Sequence, residues 1–355
     1  MDLPHDVPAE QFQPVLLSAQ PLVTECPPVA LNEWLTPSHL HYVRHHFDTM
    51  HLPPDTWQLQ VDGLVEQPLL LNLDAIRAMP HKTLSVTLEC AGNGRSRFQP
   101  KAEGNPFTQG AVSTAFWTGA PLAEVLAAAK VHNNATAVWF FGADQGPQGE
   151  HGTQPYGRGL TLEQAGKPDV LLAYQMNGEP LTDEHGAPLR LLVPGWYGMA
   201  SVKWLNHIQI TDQPYRGYFQ VDRYVYKVPG RDQQQPVARM RVKSLLTSPL
   251  AGQTLQTGMI PIRGMAWAGD EPVGRVEFSA DGGQTWERAE LETPRAPYSW
   301  QAWCITWNCR TPGQYQLVCR AMSRSAQWQP ERPEWNVHGY GNNALEPIEV
   351  FVVRG

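Results

Sequence analysis

No stretch of this chain comes near the roughly 20 apolar residues that a membrane-spanning helix requires, so no bilayer span is expected. Its start, MDLPHDVPAEQFQPV, has neither a basic cluster nor an apolar core, and no signal peptide is read there. The expected compartment is the cytoplasm, or the periplasm where a leader has been removed. Positive charge is also short: 27 Lys and Arg against 34 Asp and Glu leave a net charge of −7. That speaks against a nucleic-acid partner, which wants a basic surface, but a few arginines in a cleft can still hold an anion. CxxC, HExxH, GxxxxGK[ST] and a GxGxxG after a strand are all missing, so neither a tetrahedral zinc site nor a nucleotide fold is expected. Five cysteines, at 26, 90, 304, 309 and 319, are too few and too odd in number for a disulfide framework. Cys304 and Cys319 read as packed thiols.

What is present is a globular composition, 42% hydrophobic and 17% charged, in a chain long enough for two cores. The 32 prolines and 30 glycines favour short strands and loops over a helical bundle. Residues 1–40 read as an irregular, proline-rich start to a first domain spanning 1–230, of mixed α+β pattern. In it, TWQLQVDGLVEQPLLLNL reads as two strands, LDAIRAM and PLAEVLAAAK as helices, and TAVWFFGAD as a buried strand ending near Asp144. Residues 231–240, in a polar stretch with two prolines, read as a linker. From 241 to 355 the pattern is strands alone. RVEFSADGGQTWERAEL is a hairpin with Val276 and Phe278 inward, WQAWCITW puts Trp303, Ile305 and Trp307 on one face, and YQLVCRAM does the same for Tyr315, Leu317, Cys319 and Ala321. Strands at this spacing suggest an immunoglobulin-like sandwich.

TLSVTLECAGNGRSRF, residues 83–98, alternates apolar and polar positions as a half-buried strand does and places Cys90 where the strand gives way to a glycine-bearing loop. Three readings stay open: a packed thiol, a nucleophile with a distant histidine base, or a metal thiolate reached through the loop. HYVRHHF, with His41, Arg44, His45 and His46, is a solvated loop or part of an anion site. DEHGAPLRLLVPGWYGMASVKW adds His185, Arg190 and Lys203 around turns whose backbone N–H groups can also face an anion.

Taken in order, LECAGNGRS, LLAYQMNGEPLTDEHGAPLRLLVPGWYGMASVKWL and VEFSADGGQTWERAEL resemble the sulfite oxidase family of molybdenum enzymes, from about residue 40 to 350. The resemblance implies molybdenum held by molybdopterin, with Cys90 as the protein's ligand to the metal. It implies cofactor contacts from Arg44, His45, His46, Asp144, His185, Arg190, Ser201 and Lys203, His45 standing where an asparagine is usual. It also implies that the second domain pairs two copies into a homodimer. Soft thiolate suits a metal that cycles between oxidation states, and Arg and Lys suit the cofactor phosphate. The glycines after Cys90 are expected to leave space for substrate.

The substrate pocket matches in part. By the resemblance Tyr224 is the pocket tyrosine, and Arg44 and Arg95 are substrate-side arginines. His338 replaces a third arginine, adding positive charge only when protonated; Phe107 stands for a tryptophan and Gly94 for another arginine. The implied activity is oxidation of sulfite, a small oxyanion, to sulfate, with electrons leaving to a separate acceptor, a cytochrome or oxygen, because no haem or flavin motif is seen. Two rivals remain: a molybdenum reductase of a sulfoxide, nitrate or other oxyanion, and a two-domain binding protein with Cys90 merely packed.

Overall fold

The computed structural model describes residues 11–231 and 234–355; residues 1–10 of the irregular start and 232–233 of the linker lie outside these. Two five-stranded sheets build the first domain. One pairs Lys82–Glu89, Val112–Pro121, Leu171–Met176 and Glu179–Pro180 in that spatial order, with Arg190–Leu192 also on Leu171–Met176. The other runs Leu69–Leu71, Leu59–Gly63, Leu205–Thr211, Ala137–Pro147, Thr153–Thr161. Its one parallel pairing is Leu205–Thr211 on Leu59–Gly63, and the long intervening chain permits that.

The helices are short. Leu73–Arg77 starts where the Asn72 side chain accepts the Ala75 N–H, and Leu162–Ala165 carries a Thr161–Gln164 capping box, each satisfying otherwise unpaired N–H groups. In Leu122–Ala129 the four residues on the apolar stripe, Leu122, Val125, Leu126 and Ala129, are all buried.

Three expectations for the first domain and its junction need correction. Residues 1–40 are not irregular throughout: Val15–Ala19 and Leu22–Glu25 pair with each other, and Leu22–Glu25 pairs with Val43–Arg44. The flanking prolines end these strands instead of preventing them. Residues 234–240 are not a free linker. Gln235–Pro236 pairs with Val225–Tyr226, the Val237 N–H bonds the Tyr224 carbonyl at 2.7 Å, and Val237 and Met240 are buried in the first domain's core. Lys82–Glu89 is not half-buried either. Its polar face, Ser85, Thr87 and Glu89, is buried as fully as Val86 and Leu88, because the second domain covers it: Thr87 N–H donates to the Tyr298 carbonyl and its hydroxyl accepts from Trp300 N–H.

The second domain is a sandwich. Lys243–Ser248, Gly258–Trp267, Gln301–Cys309 and Glu290–Leu291 form one sheet; Thr254–Gln256, Ile348–Val353, Gly313–Ser323, Val273–Ser279 and Glu287–Arg288 form the other. Ile262, Phe278, Trp303, Leu317, Cys319, Ala321 and Val350 fill the space between them. The hairpin turn is held by Asp281, whose carboxylate accepts the Gln284 and Thr285 N–H groups, while Gly282 and Gly283 take φ of +71° and +95°. Cys304 is exposed, not packed. It alternates with Trp303 and Ile305, so it must point to the outer face of its sheet.

Candidate functional site

Between the sheets of the first domain lies a cleft of about 650 Å³, counting its open mouth. Cys90 stands at its wall, directly after the strand Lys82–Glu89. Its N–H is fixed to the Ala111 carbonyl at 2.8 Å and its carbonyl accepts from Asn93 N–H at 2.9 Å. The thiol is 7% exposed. Burial raises its pKa, and the nearby Arg95 and Arg44 charges pull it back. A cation-facing thiol of this kind is suited to giving up its proton to a metal.

The segment 41–46 forms a second wall. Arg44 donates to the His45 carbonyl. His45 bonds Thr49 Oγ1 through Nδ1 and the Glu184 carbonyl through Nε2, each at 3.0 Å. His46 stacks on Tyr156, and its Nε2 bonds the Tyr224 hydroxyl at 2.8 Å. The run from 185 to 203 forms the far end. His185 Nε2 meets the Ser38 carbonyl at 2.9 Å. Arg190 donates to the carbonyls of His185 and Ser201 and lies 4.8 Å from the Trp117 ring centre. Lys203 donates to the Glu184 carbonyl, and the Ser201 hydroxyl accepts from Val193 N–H. Gly186 has φ of +93°, and a Cβ there would stand 2.7 Å from Lys203 Cβ, so glycine is what lets the lysine close in.

Burial beside like charges sets the electrostatics. His41 and His45 are pushed down to about 3, and His46, His185 and Lys203 are held well below their usual ranges. Desolvation is the first cause in each, reinforced by Arg44, Arg190 or Lys203. Asp144 is pushed up to about 7 by burial, with Lys203 pulling the other way. Arg44, Arg190 and Lys203 thus share the cleft with a single carboxyl, Asp144, among the described residues of its lining. The cleft also leaves polar atoms spare: Asp144 Oδ1, Arg190 Nε, His41 Nε2 and Trp204 Nε1 are buried without a hydrogen-bond partner among the described residues, and all four residues line the cleft. Unpaired buried polar groups are costly. These donors and acceptors therefore fit a buried, polar, anionic ligand.

Residues 46–219 match the model of the oxidoreductase molybdopterin-binding domain, and residues 234–352 that of the Mo-co oxidoreductase dimerisation domain. The mitochondrial sulfite oxidase of Rattus norvegicus is 36% identical over 361 residues, which cover 95% of this chain and 65% of the relative. The chain belongs to the sulfite oxidase family. It spans about two-thirds of the length of the curated relatives first matched. The inducible NADH nitrate reductase 2 of Glycine max is 32% identical over 358 residues, which cover 90% of this chain and 40% of the relative. The sulfane dehydrogenase SoxCD of Paracoccus pantotrophus superposes with a TM-score of 0.83 at 29% identity, covering 95% of this chain and 88% of the other.

For this sulfite oxidase family member the cofactor is thus molybdenum with molybdopterin. Arg44, His45, His46, Cys90, Asp144, His185, Arg190, Ser201, Lys203 and Tyr224, all singled out from the sequence, line the one cleft. Arg95, His338, Phe107 and Gly94 do not. Arg95 sits behind the cysteine loop, its Nε on the His338 carbonyl and Nη1 on the Asn105 carbonyl, each at 2.9 Å. A Cβ on Gly92 would lie 2.5 Å from that guanidinium, so this loop glycine makes room for Arg95 and not for substrate. Phe107 is fully buried in the hydrophobic cluster beneath Cys90. Burial and the neighbouring Arg223 lower the pKa of His338. Sequence reasoning missed Tyr42, Tyr156 and Trp204 in the lining and Arg223 beside His338; the Lys-Trp and Arg-Tyr dipeptides at 203–204 and 223–224 were the available signals. No helix among the described residues is long and apolar enough to cross a membrane.

Proposed function

We propose that this protein oxidises sulfite to sulfate at a molybdopterin-held molybdenum ligated by Cys90, and passes the electrons to a separate acceptor, a cytochrome or oxygen. The observation that carries the reading is the shared cleft. Cys90, Arg44 and Tyr224 line it together with Arg190, Ser201 and Lys203 from the 185–203 run, which suits a ligand with a reactive end and an anionic end.

When bound, the cofactor supplies the two-electron acceptor and the oxygen-transfer centre. The chain's own residues do the rest. Lys203, Arg190 and the Ser201 region hold phosphate, charge and hydrogen-bond donors together being the usual recipe. Asp144 Oδ1, His41 Nε2 and Trp204 Nε1 complete polar contacts along the body of the ligand. Arg44 draws a dianion toward Cys90, and Arg95 adds field from behind the loop, where its Nε and Nη1 donate to backbone carbonyls. Tyr224 keeps its proton far above neutral pH because it is buried. It shares a hydrogen bond with neutral His46, so a proton can be held or relayed at the tyrosine hydroxyl. The second domain joins two copies into a homodimer, supported by the dimerisation model.

Molybdenum-loaded protein assayed with sulfite and an artificial electron acceptor tests the reading. Steady turnover is expected, with about one molybdenum per chain. A reductase of nitrate or another oxyanion is the second reading, favoured by the nitrate reductase relative and by the lowered pKa of His338. Turnover of nitrate with reduced dye, and none of sulfite, would establish it instead.

A further inference from the structure

Position 338 poses a problem that the structure answers. The resemblance puts an arginine there; this chain has a histidine whose pKa burial and the Arg223 charge lower. A guanidinium nevertheless occupies the neighbourhood. Arg223 Nη1 lies 3.0 Å from His338 Nδ1. Arginine N–H can only donate, so Nδ1 must offer its lone pair and the imidazole must be neutral, protonated on Nε2. The histidine is therefore an acceptor that aims an arginine. Tyr218 holds the same side chain from the other side, its hydroxyl accepting from Arg223 Nε at 3.1 Å.

The location is right for substrate. Arg223 immediately precedes Tyr224, which lines the cleft, and Tyr224 has φ of +49°, a left-handed turn that separates the two side chains. Tyr340 stacks on Tyr224 at 5.0 Å and faces His338 at 5.6 Å, with Arg95 at 5.3 Å from its ring centre. Tyr224 and Tyr340 are buried, whereas the Arg223 side chain is 37% exposed. Arg223 is not itself among the residues that line the cleft; it lies on the more exposed side of the stack, and its charge reaches Tyr340. Its charge is barely compensated. Glu103 Oε2 is 3.8 Å away but on a side chain 66% exposed, and such pairs contribute little. Among the described residues nothing bonds its Nη2.

We propose that Arg223, oriented by the neutral His338, is the oxyanion-binding cation at the mouth of this site, doing from position 223 what the family's arginine does from 338. The inference rests on reading the cleft as one that handles a small oxyanion.

The test uses the molybdenum-loaded protein and three variants: Arg223→Gln, Arg223→Lys and His338→Phe. Sulfite KM and kcat are measured with an artificial acceptor, and sulfate, an oxyanion that does not react, is titrated calorimetrically. Loss of one charged contact is expected to weaken both sulfite KM and sulfate affinity about tenfold or more in Arg223→Gln, with kcat falling less than kcat/KM. Arg223→Lys should recover part of the loss. His338→Phe should mimic Arg223→Gln, and the double variant should add little to either. Unchanged sulfate affinity in a folded, molybdenum-loaded Arg223→Gln protein overturns the proposal, as does failure of the native protein to bind sulfate. If native protein does not turn over sulfite, the sulfite reading falls by itself. A tenfold loss of sulfate binding in Arg223→Gln would then still sustain Arg223 as the oxyanion contact.

Discussion

Glu89 and Lys243 form an ion pair, Oε1 to Nζ 3.6 Å, with both side chains 2% exposed. The pair crosses the domain boundary one residue before Cys90. Glu89 also accepts from Asn93 Nδ2 at 3.0 Å and Trp267 Nε1 at 2.9 Å. Lys243 donates to the Asn342 carbonyl, and Asn342 Nδ2 reaches the Gly94 carbonyl at 2.8 Å. Burial pushes the Glu89 carboxyl up, and Lys243, Asn93 and Trp267 pull it back down. The cysteine loop is therefore clamped at both ends by groups of the second domain.

Lys243→Met should be strongly destabilising, by about 3–5 kcal/mol, because it strands a buried carboxylate. Adding Glu89→Gln should return part of that loss, since a neutral amide needs no counter-charge. Thermal melts of the single and double variants, with molybdenum content beside them, check this. Equal melting temperatures for native and Lys243→Met would refute the clamp.

That clamp marks the limit of what the sequence could tell. The run from Cys90 to Arg95 and the run from 185 to 203 are contiguous, so their site residues travel together in any reading; the structure sets Cys90 with His185, Arg190, Ser201 and Lys203 in one cleft but leaves Arg95 behind the loop. The alternation of Trp303, Ile305 and Trp307 marks the sandwich because a strand's period is local. Glu89–Lys243 and Arg223–His338 join residues more than a hundred positions apart, and no local pattern announces such a meeting. Cys304 shows a subtler failure. Alternation fixed its face as opposite to Trp303, yet only the fold shows that this face is uncovered. The burial of Thr87 was hidden for the converse reason: its polar side chain reads as solvent-facing until Trp300 and Tyr298 arrive from the other domain.

Cys90→Ser should fold, since the side chain loses little volume, and its sulfite turnover should fall at least about a hundredfold if the thiolate is the metal ligand. A hard alkoxide is a poorer donor to a soft, redox-active centre. X-ray absorption at the molybdenum edge should show one fewer sulfur neighbour. An unchanged sulfur count would assign the ligand elsewhere.

Tyr224→Phe removes the hydroxyl that bonds His46. The hydrogen bond itself is worth about 1 kcal/mol of stability, so the melting temperature should move little. Turnover should fall roughly a hundredfold or more if a proton is held or relayed there, with kcat affected more than KM. Retained kcat would reduce Tyr224 to a packing residue.

Lys203→Met removes both the bond to the Glu184 carbonyl and the charge beside Trp204. Cofactor content should drop several-fold, because charged contacts to phosphate contribute about 1.5–3 kcal/mol each. Apo protein should be no less stable for the change, as it loses a buried cation whose pKa burial already depresses. Full cofactor retention would move the phosphate site away from Lys203.

Acid should destabilise the cofactor-free protein. His41 and His45 titrate at about 3 in the fold, and His46 and His185 well below 6.5. Below about pH 6.5 the unfolded chain gains protons on all four while the folded one does not, so stability falls as pH falls. Asp144, held near 7, acts in the opposite sense: between about pH 4 and 7 the folded form keeps a proton that the unfolded carboxyl loses, which favours the fold toward acid. Glu25 and Glu89, raised by burial, add to that opposition. With His338 also lowered, five histidines oppose three carboxyls, so the melting temperature of apo protein should drop between pH 7 and pH 5. Asp144→Asn removes one of the opposing groups and should steepen the drop. Bound cofactor, by bringing anionic phosphate near Lys203 and the histidines, should make it shallower. A melting temperature that is flat across this range in both apo proteins would mean that the histidines are hydrated, and the reading of them as desolvated in the cleft would have to be abandoned.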